Sequence, residues 1–416
     1  MATVSTLPDA QASIATQAQG TLHPFRGEAP GAVAGALVMG GAHGSLGVVR
    51  SLGRRGVPVW VLVGDHPIAR FSRFARKSFA WPGPADPGAL DYLLSLAQRH
   101  NLLGWVLFPG GDAEARFIAL HRDALAKVFR VITPPWDTLK WAADKSHTYR
   151  LAAEIEVDCP WTFRPRGRQD LAEIGCRFPL ILKPTARDSD NAFTRAKAWR
   201  VDDAASLLAR YDQAISLVGA EAVLVQELIP GNGSCQFSYA AVCDRGVPMA
   251  SLIAVRRRQY PIDFGFTSTF VQSAEAPKVE ELACRFLKAT GYSGLAELEF
   301  KYDEREGRYK LLDMNARTWT WLSLGGKAGV DFPWLMWQLA LGRPVERTHG
   351  RAGCAWIHVT RDLAAAFAGI RAGSLTLSEY LKSFTATTLE FAAFSGDDPL
   401  PALVDLPLTL WRVWRR

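Results

Sequence analysis

The sequence predicts an α/β domain followed by an α+β unit, and three observations carry that prediction. From Gly35 the chain alternates continuous apolar runs with helical stretches, as a parallel sheet buried on both faces requires. Beyond residue 138 the pattern changes to helices mixed with paired apolar stretches around tight turns, the signature of hairpins. A length of 416 residues, 48% of them hydrophobic, suits two or three folded domains rather than one small module.

Residues 1–30, rich in Ala, Thr, Gln and Pro, read as a flexible leader. An N-terminal α/β domain is expected over 31–135. Its first strand, from Gly35, feeds a glycine-rich turn that ends at Gly47, and Val48 to Arg55 can then form a helix. The run Pro58 to Val63 reads as a second buried strand. A helix at about 88–100, a strand at Trp105 to Phe108 and a helix at about 112–127 continue the alternation up to Pro134-Pro135. Gly40, Gly41, Gly44 and Gly47 would let a ligand approach backbone N–H groups at a helix start. Their spacing is not the GxGxxG fingerprint, and no Walker lysine follows. A nucleotide, a substrate carboxylate or phosphate, and a purely structural turn all remain open there.

The second unit, 136–345, opens with a helix around Thr138 to Glu154 that carries Asp144-Lys145. Next come the strand Pro179 to Pro184 and a loop of mixed charge, Thr185 to Lys197, which could fold over a ligand and exclude water. A helix at about 202–217 and the strand Ala222 to Glu227 complete a central lid, placed at about 145–228. Tyr239 to Cys243 with Pro248 to Val255 reads as one hairpin, and Gly294 to Tyr302 with Arg308 to Met314 as a second. Val330 to Leu341 is apolar almost throughout and reads as a buried helix. A C-terminal extension, 346–416, is expected to pack on the core through a strand at Cys354 to Val359, a helix near Asp362 to Gly369 and a Pro-rich segment at 398–408.

A formal net charge of +7 draws anions to basic clefts, so nucleotides, phosphates and carboxylates are candidate ligands. Nucleic acid is disfavoured, since no zinc finger, helix-turn-helix or stripe of basic and stacking residues is present. The six cysteines form no CxxC pair and read as reduced thiols. With no signal peptide and no apolar run long enough for a membrane helix, the expectation is a cytoplasmic chain with no membrane partner. The eight histidines are dispersed, with no HExxH and no close group resembling a zinc site. The apolar stretches Trp334 to Leu341 and Leu406 to Trp414 fit either a homodimer surface or a core.

Glu299 lies near the end of one strand of the second hairpin, and Asp313 and Asn315 lie at the end of the other. Antiparallel neighbours can bring these oxygens into one pocket suited to Mg2+ on ATP phosphates, or they form an ordinary polar hairpin end. Arg317 could reach a transferred phosphoryl group. Lys145 and Lys183 could both contact phosphate, Lys183 because a lysine closing an apolar strand needs an anion if it points inward. In Arg256-Arg257-Arg258, strand alternation would send Arg256 and Arg258 to one face. Two converging guanidiniums suit a carboxylate or acyl phosphate, and an exposed basic edge is the alternative.

Six segments in order resemble the ATP-grasp superfamily, especially its carboxylate-amine ligases, over roughly 31–345. They are Gly40-Gly41-Ala42-His43-Gly44, Asp144-Lys145, Phe178 to Pro184, Val225 to Gly231, Ala296 to Phe300 and Asp313-Met314-Asn315-Ala316-Arg317. The resemblance implies an ATP-grasp fold behind an N-terminal parallel-sheet domain. It implies ATP phosphates on Lys145 and Lys183, and an interdomain hinge at Gln226 to Ile229 with Glu227 and the Ile229 backbone on the adenine edge. Glu299, Asp313 and Asn315 would hold Mg2+, with Arg317 aiding phosphoryl transfer and Arg256 and Arg258 on the substrate. The family's metal motif usually begins with Glu, where this chain has Asp313. The implied activity is an ADP-forming ligase that joins a small, amino-acid-like carboxylate to an amine through an acyl phosphate. Condensation of an amino acid with a cyclic enolic acid, and a nonenzymatic nucleotide-binding scaffold, are the alternatives.

Overall fold

The computed structural model describes residues 34–64, 66–174, 178–185, 191–196, 198–260, 267–385 and 388–415. The leader 1–30, Cys176, the centre of the charged loop (186–190 and 197), Pro261 to Gly265 and Arg416 lie outside the described residues.

The first sheet comprises β1 (Ala36–Met39), β2 (Val59–Val63), β3 (Ala75–Ala80), β4 (Val106–Pro109) and β5 (Arg130–Val131), all parallel in the order β3-β2-β1-β4-β5. Every residue of β1, β2 and β4 is buried because both faces are covered. Leu37, Met39, Leu62 and Leu107 face the helices Ala89–His100 and Asp112–Leu120, while Ala36, Val38, Val59 and Val61 face the helix His43–Gly53. That helix begins at His43, not after Gly47, so two of the turn glycines lie inside it. A Cβ at Gly44 would sit 2.7 Å from the Trp319 carbonyl oxygen, which makes this glycine a seat for close helix packing. β3 was not expected, since Ala-Arg-Lys-Ser-Phe-Ala is a half-exposed edge strand without an apolar run.

The expected helix from Thr138 to Glu154 is two helices, Trp136–Ala143 and Lys145–Glu154. Asp144 breaks them apart: its backbone is extended, and its Oδ1 accepts the Ser146 N–H at 2.8 Å as an N-cap. A small antiparallel sheet follows, β6 (Thr162–Phe163), β7 (Leu180–Pro184), β8 (Trp199–Val201) and β9 (Val223–Glu227), in the order β6-β9-β7-β8. The helix Ala204–Val218 covers one face, and Leu182, Val201, Leu207, Tyr211 and Val225 form a core of their own. The expected charged loop holds a short helix, Ala192–Ala196.

The large sheet runs β14-β13-β10-β11-β12-β16-β17, with β15 on β11. Its strands are β10 (Gln236–Asp244), β11 (Val247–Tyr260), β12 (Thr267–Ser273), β13 (Gly294–Asp303), β14 (Arg308–Asn315), β15 (Thr348–His349), β16 (Cys354–Ile357) and β17 (Thr388–Phe391). One face packs Tyr239, Ala241, Leu298 and Phe300 against the helix Pro277–Thr290 and against Leu151 and Ala152. The other packs Ala240, Val242 and Leu252 into the core that also holds Ala36, Val38 and the helix Phe332–Ala340. Parallel domain and large sheet therefore share one core. Among the described residues the extension adds strands to the sheet and three helices, Val359–Arg371, Leu377–Lys382 and Leu400–Arg415. Its Pro-rich segment is helical, with Pro407 inside. Of the two long apolar stretches, the first buries Met336 and Trp337, while the second leaves Leu406 and Leu410 about half exposed. Among the described residues no helix is long and apolar enough to cross a membrane.

Candidate active site

Strand alternation places Glu297 and Glu299 on one face of β13, with Leu298 and Phe300 in the core behind. The antiparallel register sets Glu299 opposite Asp313 and Glu297 opposite Asn315. A bulge at Leu312 shifts the pairing between Glu299 and Phe300, and the Tyr149 hydroxyl donates to the Leu312 carbonyl at 3.0 Å. The Asn315 amide donates to Glu297 Oε2 at 3.1 Å and Glu299 Oε1 at 3.3 Å. Gln236 Nε2 reaches Glu299 Oε2 at 2.8 Å, and Arg256 Nη2 reaches its other oxygen at 3.1 Å. Lys145, the first residue of its helix, places Nζ 2.5 Å from Asp313 Oδ2. Arg317 donates to Asn315 Oδ1 at 2.9 Å and grips Asp112 of the parallel domain at 2.9 and 3.3 Å.

The electrostatics follow from this crowding. Burial first, and the neighbouring Glu299 carboxylate second, push the Glu297 carboxyl up to about 7, with Arg256 and Arg317 opposing. Burial works against the Lys145 ammonium, but Asp313, Tyr149 and Glu299 together hold its pKa above the ordinary lysine value. Burial likewise opposes Arg317, and Asp112, Glu297 and Glu299 outweigh it. Burial and the Glu299 carboxylate together keep a proton on Glu297 near neutral pH, and carboxylates gathered this closely on one sheet face fit a hard divalent cation.

Lys183, on β7, donates to Gln226 Oε1 at 2.8 Å. The Gln226 amide nitrogen in turn reaches Tyr149 at 3.1 Å and Thr162 Oγ1 at 2.9 Å, and the residue is buried. Gln226 and Tyr149 thus tie Lys183 to β14, the strand whose Asp313 pairs with Lys145, across the joint between the small and large sheets. Glu227 accepts from the Trp161 N–H at 3.0 Å and from Lys310 at 2.6 Å, and it pairs with Arg305 at 3.3 Å. Lys310 also meets Asp303 and Glu306, each at 3.1 Å, so an ammonium already lies among these three carboxylates. The Ile229 carbonyl accepts from Lys301 at 2.8 Å.

The chain architecture matches solved structures at low identity. An L-amino acid ligase from Bacillus licheniformis is 16% identical, with a TM-score of 0.57, covering 78% of this chain and 79% of that one. The biotin carboxylase domain of the Hydrogenobacter thermophilus 2-oxoglutarate carboxylase, solved with MgADP and bicarbonate, is 16% identical with a TM-score of 0.59, covering 77% and 73%. The fold is the ATP-grasp fold. A curated relative, the D-aspartate ligase of Enterococcus faecium, is 22% identical over 246 residues, 56% of this chain and 58% of that protein. The match spans less than two-thirds of the relative's length. No family model matches the chain.

Within this ATP-grasp fold one expectation fails. Arg256 and Arg258 do not converge. The register pairs Arg256 with Val271 but Arg258 with Phe270, so Arg257 is an extra residue in a bulge and the two flanking arginines face opposite sides of the sheet. Arg256 reaches Glu299, whereas Arg258 makes paired bonds to the buried Asp362 at 2.9 and 2.8 Å and lies over the Phe270 and Tyr380 rings at 4.2 and 4.8 Å. Arg258 is a clamp on the C-terminal extension. Sequence reasoning also missed Glu297, Tyr149 and Asp112. Period two from Glu299 would have found Glu297, and one helical turn from Lys145 would have found Tyr149. Nothing local links Asp112 to Arg317, 205 positions away.

Proposed function

We propose that the chain is an ATP- and magnesium-dependent, ADP-forming ligase that joins an amino-acid-like carboxylate to an amine through an acyl phosphate. The observation that carries this reading is the register-paired Glu299 and Asp313, with Asn315 alongside, joined to Lys145 and linked through Tyr149 and Gln226 to Lys183. A carboxylate is a poor electrophile, and transfer of a phosphoryl group to it supplies a leaving group that an amine can displace. The protein's part is positioning and charge neutralisation.

In this reading Glu299, Asp313 and Asn315 hold magnesium, whose chemistry when bound is to neutralise and orient the ATP phosphates. Lys145 and Lys183 would hold the phosphate oxygens. Gln226 positions Lys183, and Glu227 and the Ile229 backbone border the adenine. Arg317 and Arg256 contact the transferring phosphoryl group and the carboxylate. Amino acids are the substrate class supported by the names of the D-aspartate ligase and the L-amino acid ligase that the chain is similar to.

Purified protein with ATP, magnesium and pooled amino acids, small carboxylates and cyclic enolic acids is the test, read by mass spectrometry. The expected outcome is ADP together with a product whose mass is acid plus amine minus water, both lost in Asp313→Ala/Asn315→Ala. Fragmentation to an enamine would move the reading to the enolic substrate. Tight magnesium-dependent ATP binding without product in any pool would count against a ligase.

A further inference from the structure

The histidines that lie apart in sequence do not stay apart in the fold. His43 opens the helix His43–Gly53, His66 lies in the loop after β2, His358 immediately precedes the helix Val359–Arg371, and Asp405 is in the C-terminal helix. One ligand atom from each of His43, His66 and Asp405 lies within 4.8 Å of the other two. His43 Nε2 is 3.1 Å from Asp405 Oδ1, and His358 Nε2 is 3.8 Å from Asp405 Oδ2. The His43 ring lies 5.1 Å from that of His66 and 4.5 Å from that of His358, centroid to centroid. His43, His358 and Asp405 are 5%, 1% and 3% exposed.

We propose that His43, His66, His358 and Asp405 form a transition-metal site of the zinc type, which fastens the C-terminal extension to the parallel domain. Three imidazoles and one carboxylate are a complete tetrahedral donor set for zinc, and mixed N/O donors with no thiolate disfavour the softer ions. Zinc bonds of about 2.0–2.1 Å put neighbouring ligand atoms about 3.3 Å apart; His43, His66 and Asp405 each bring a ligand atom within 4.8 Å of the other two, and His358 Nε2 lies 3.8 Å from the second oxygen of the same carboxylate, so His358 is the donor that must move in to complete the set. His358 supplies the independent sign. Its Nδ1 meets Thr360 Oγ1 at 3.2 Å, the outer hydrogen bond that fixes a ligating ring, and its buried Nε2 has no hydrogen-bond partner among the described residues while facing Asp405. A cluster held by hydrogen bonds alone leaves that nitrogen unsatisfied at a cost; a bound metal ion removes it. Thr360 Oγ1 also lies 3.3 Å from Asp405 Oδ2, giving the carboxylate the same outer support. The site shares no residue with the Glu299–Asp313 cluster and calls for no step in the ligase reaction.

The test uses the full chain, stripped with a chelator and then titrated with Co2+ or Zn2+. To silence the magnesium cluster, the titration is repeated in an Asp313→Asn/Asn315→Ala background. The expected result is one equivalent of metal in both backgrounds, intense visible absorption from tetrahedral Co2+, and a higher melting temperature with metal. His358→Gln and His66→Ala should each weaken uptake at least a hundredfold while ATP binding to the otherwise native chain persists. Lack of a tetrahedral Co2+ spectrum in the wild type, a reading that needs no variant to fold, overturns the proposal. So does loss of all uptake in the Asp313→Asn/Asn315→Ala background, or His358→Gln binding as tightly as wild type.

Discussion

Glu297 sits 3% exposed between a tryptophan N–H and the Asn315 amide, beside a second carboxylate. Its folded pKa, about 7, lies above the ordinary 4.5, so between those values the unfolded chain sheds the proton first and stability falls as pH rises. The full effect is on the order of 3 kcal/mol. Glu297→Gln should flatten melting temperature against pH across that window, and saturating magnesium should flatten the wild type in the same way; a wild-type profile already flat without metal would refute the assignment. Asp313→Asn should lower ADP formation by about 10²–10³-fold, the scale of losing one preorganised charge contact, as read by coupled assay with folding checked by circular dichroism. The two arginines separate on different measurements. Arg258→Ala leaves Asp362 buried without its ion partner, and denaturant titration should show a loss of about 3–5 kcal/mol. Arg256→Ala, beside Glu299, should instead depress turnover more than stability.

At the scale of elements, the glycine-rich segment divides into positions that do different things. Gly44→Ala pushes a methyl to 2.7 Å from a backbone oxygen that cannot yield, and a thermal melt should show about 1–3 kcal/mol of destabilisation. Gly47→Ala meets nothing closer than 3.6 Å inside the same helix and should gain about 0.5–1 kcal/mol by the same measurement. This contrast was illegible in sequence, because the seat for Gly44 is built by Trp319, far along the chain. The hairpin that carries Glu299 and Asp313 was legible, since period-two burial writes itself into apolar alternation. Edge strand β3 was not, because a strand half exposed on one side has no such pattern to show. The break at Asp144 was written in the sequence as an Asx cap, but it sat inside a continuous helical periodicity that masked it.

For the whole molecule, the proposed Mg-ATP site spans the joint where Gln226 ties Lys183 to Tyr149, so binding there should stabilise the chain as one unit. At a hundredfold over Kd the gain is about 2.7 kcal/mol, to be read as a rise in melting temperature that depends on magnesium and is absent in Asp313→Ala/Asn315→Ala. The sequence by itself determined the main buried strands and amphipathic helices, the α/β domain in front of the α+β unit, and the ordered set of polar residues that resembles ATP-grasp ligases. All of these rest on local periodicity and on short motifs whose members lie a few residues apart. The tertiary structure alone decided that a bulge sends Arg258 to Asp362 instead of the cleft, that Asp112 grips Arg317, and that three dispersed histidines meet Asp405. Each of those contacts depends on register or on closure of long stretches of intervening chain, and neither register nor closure leaves a mark in the neighbouring sequence.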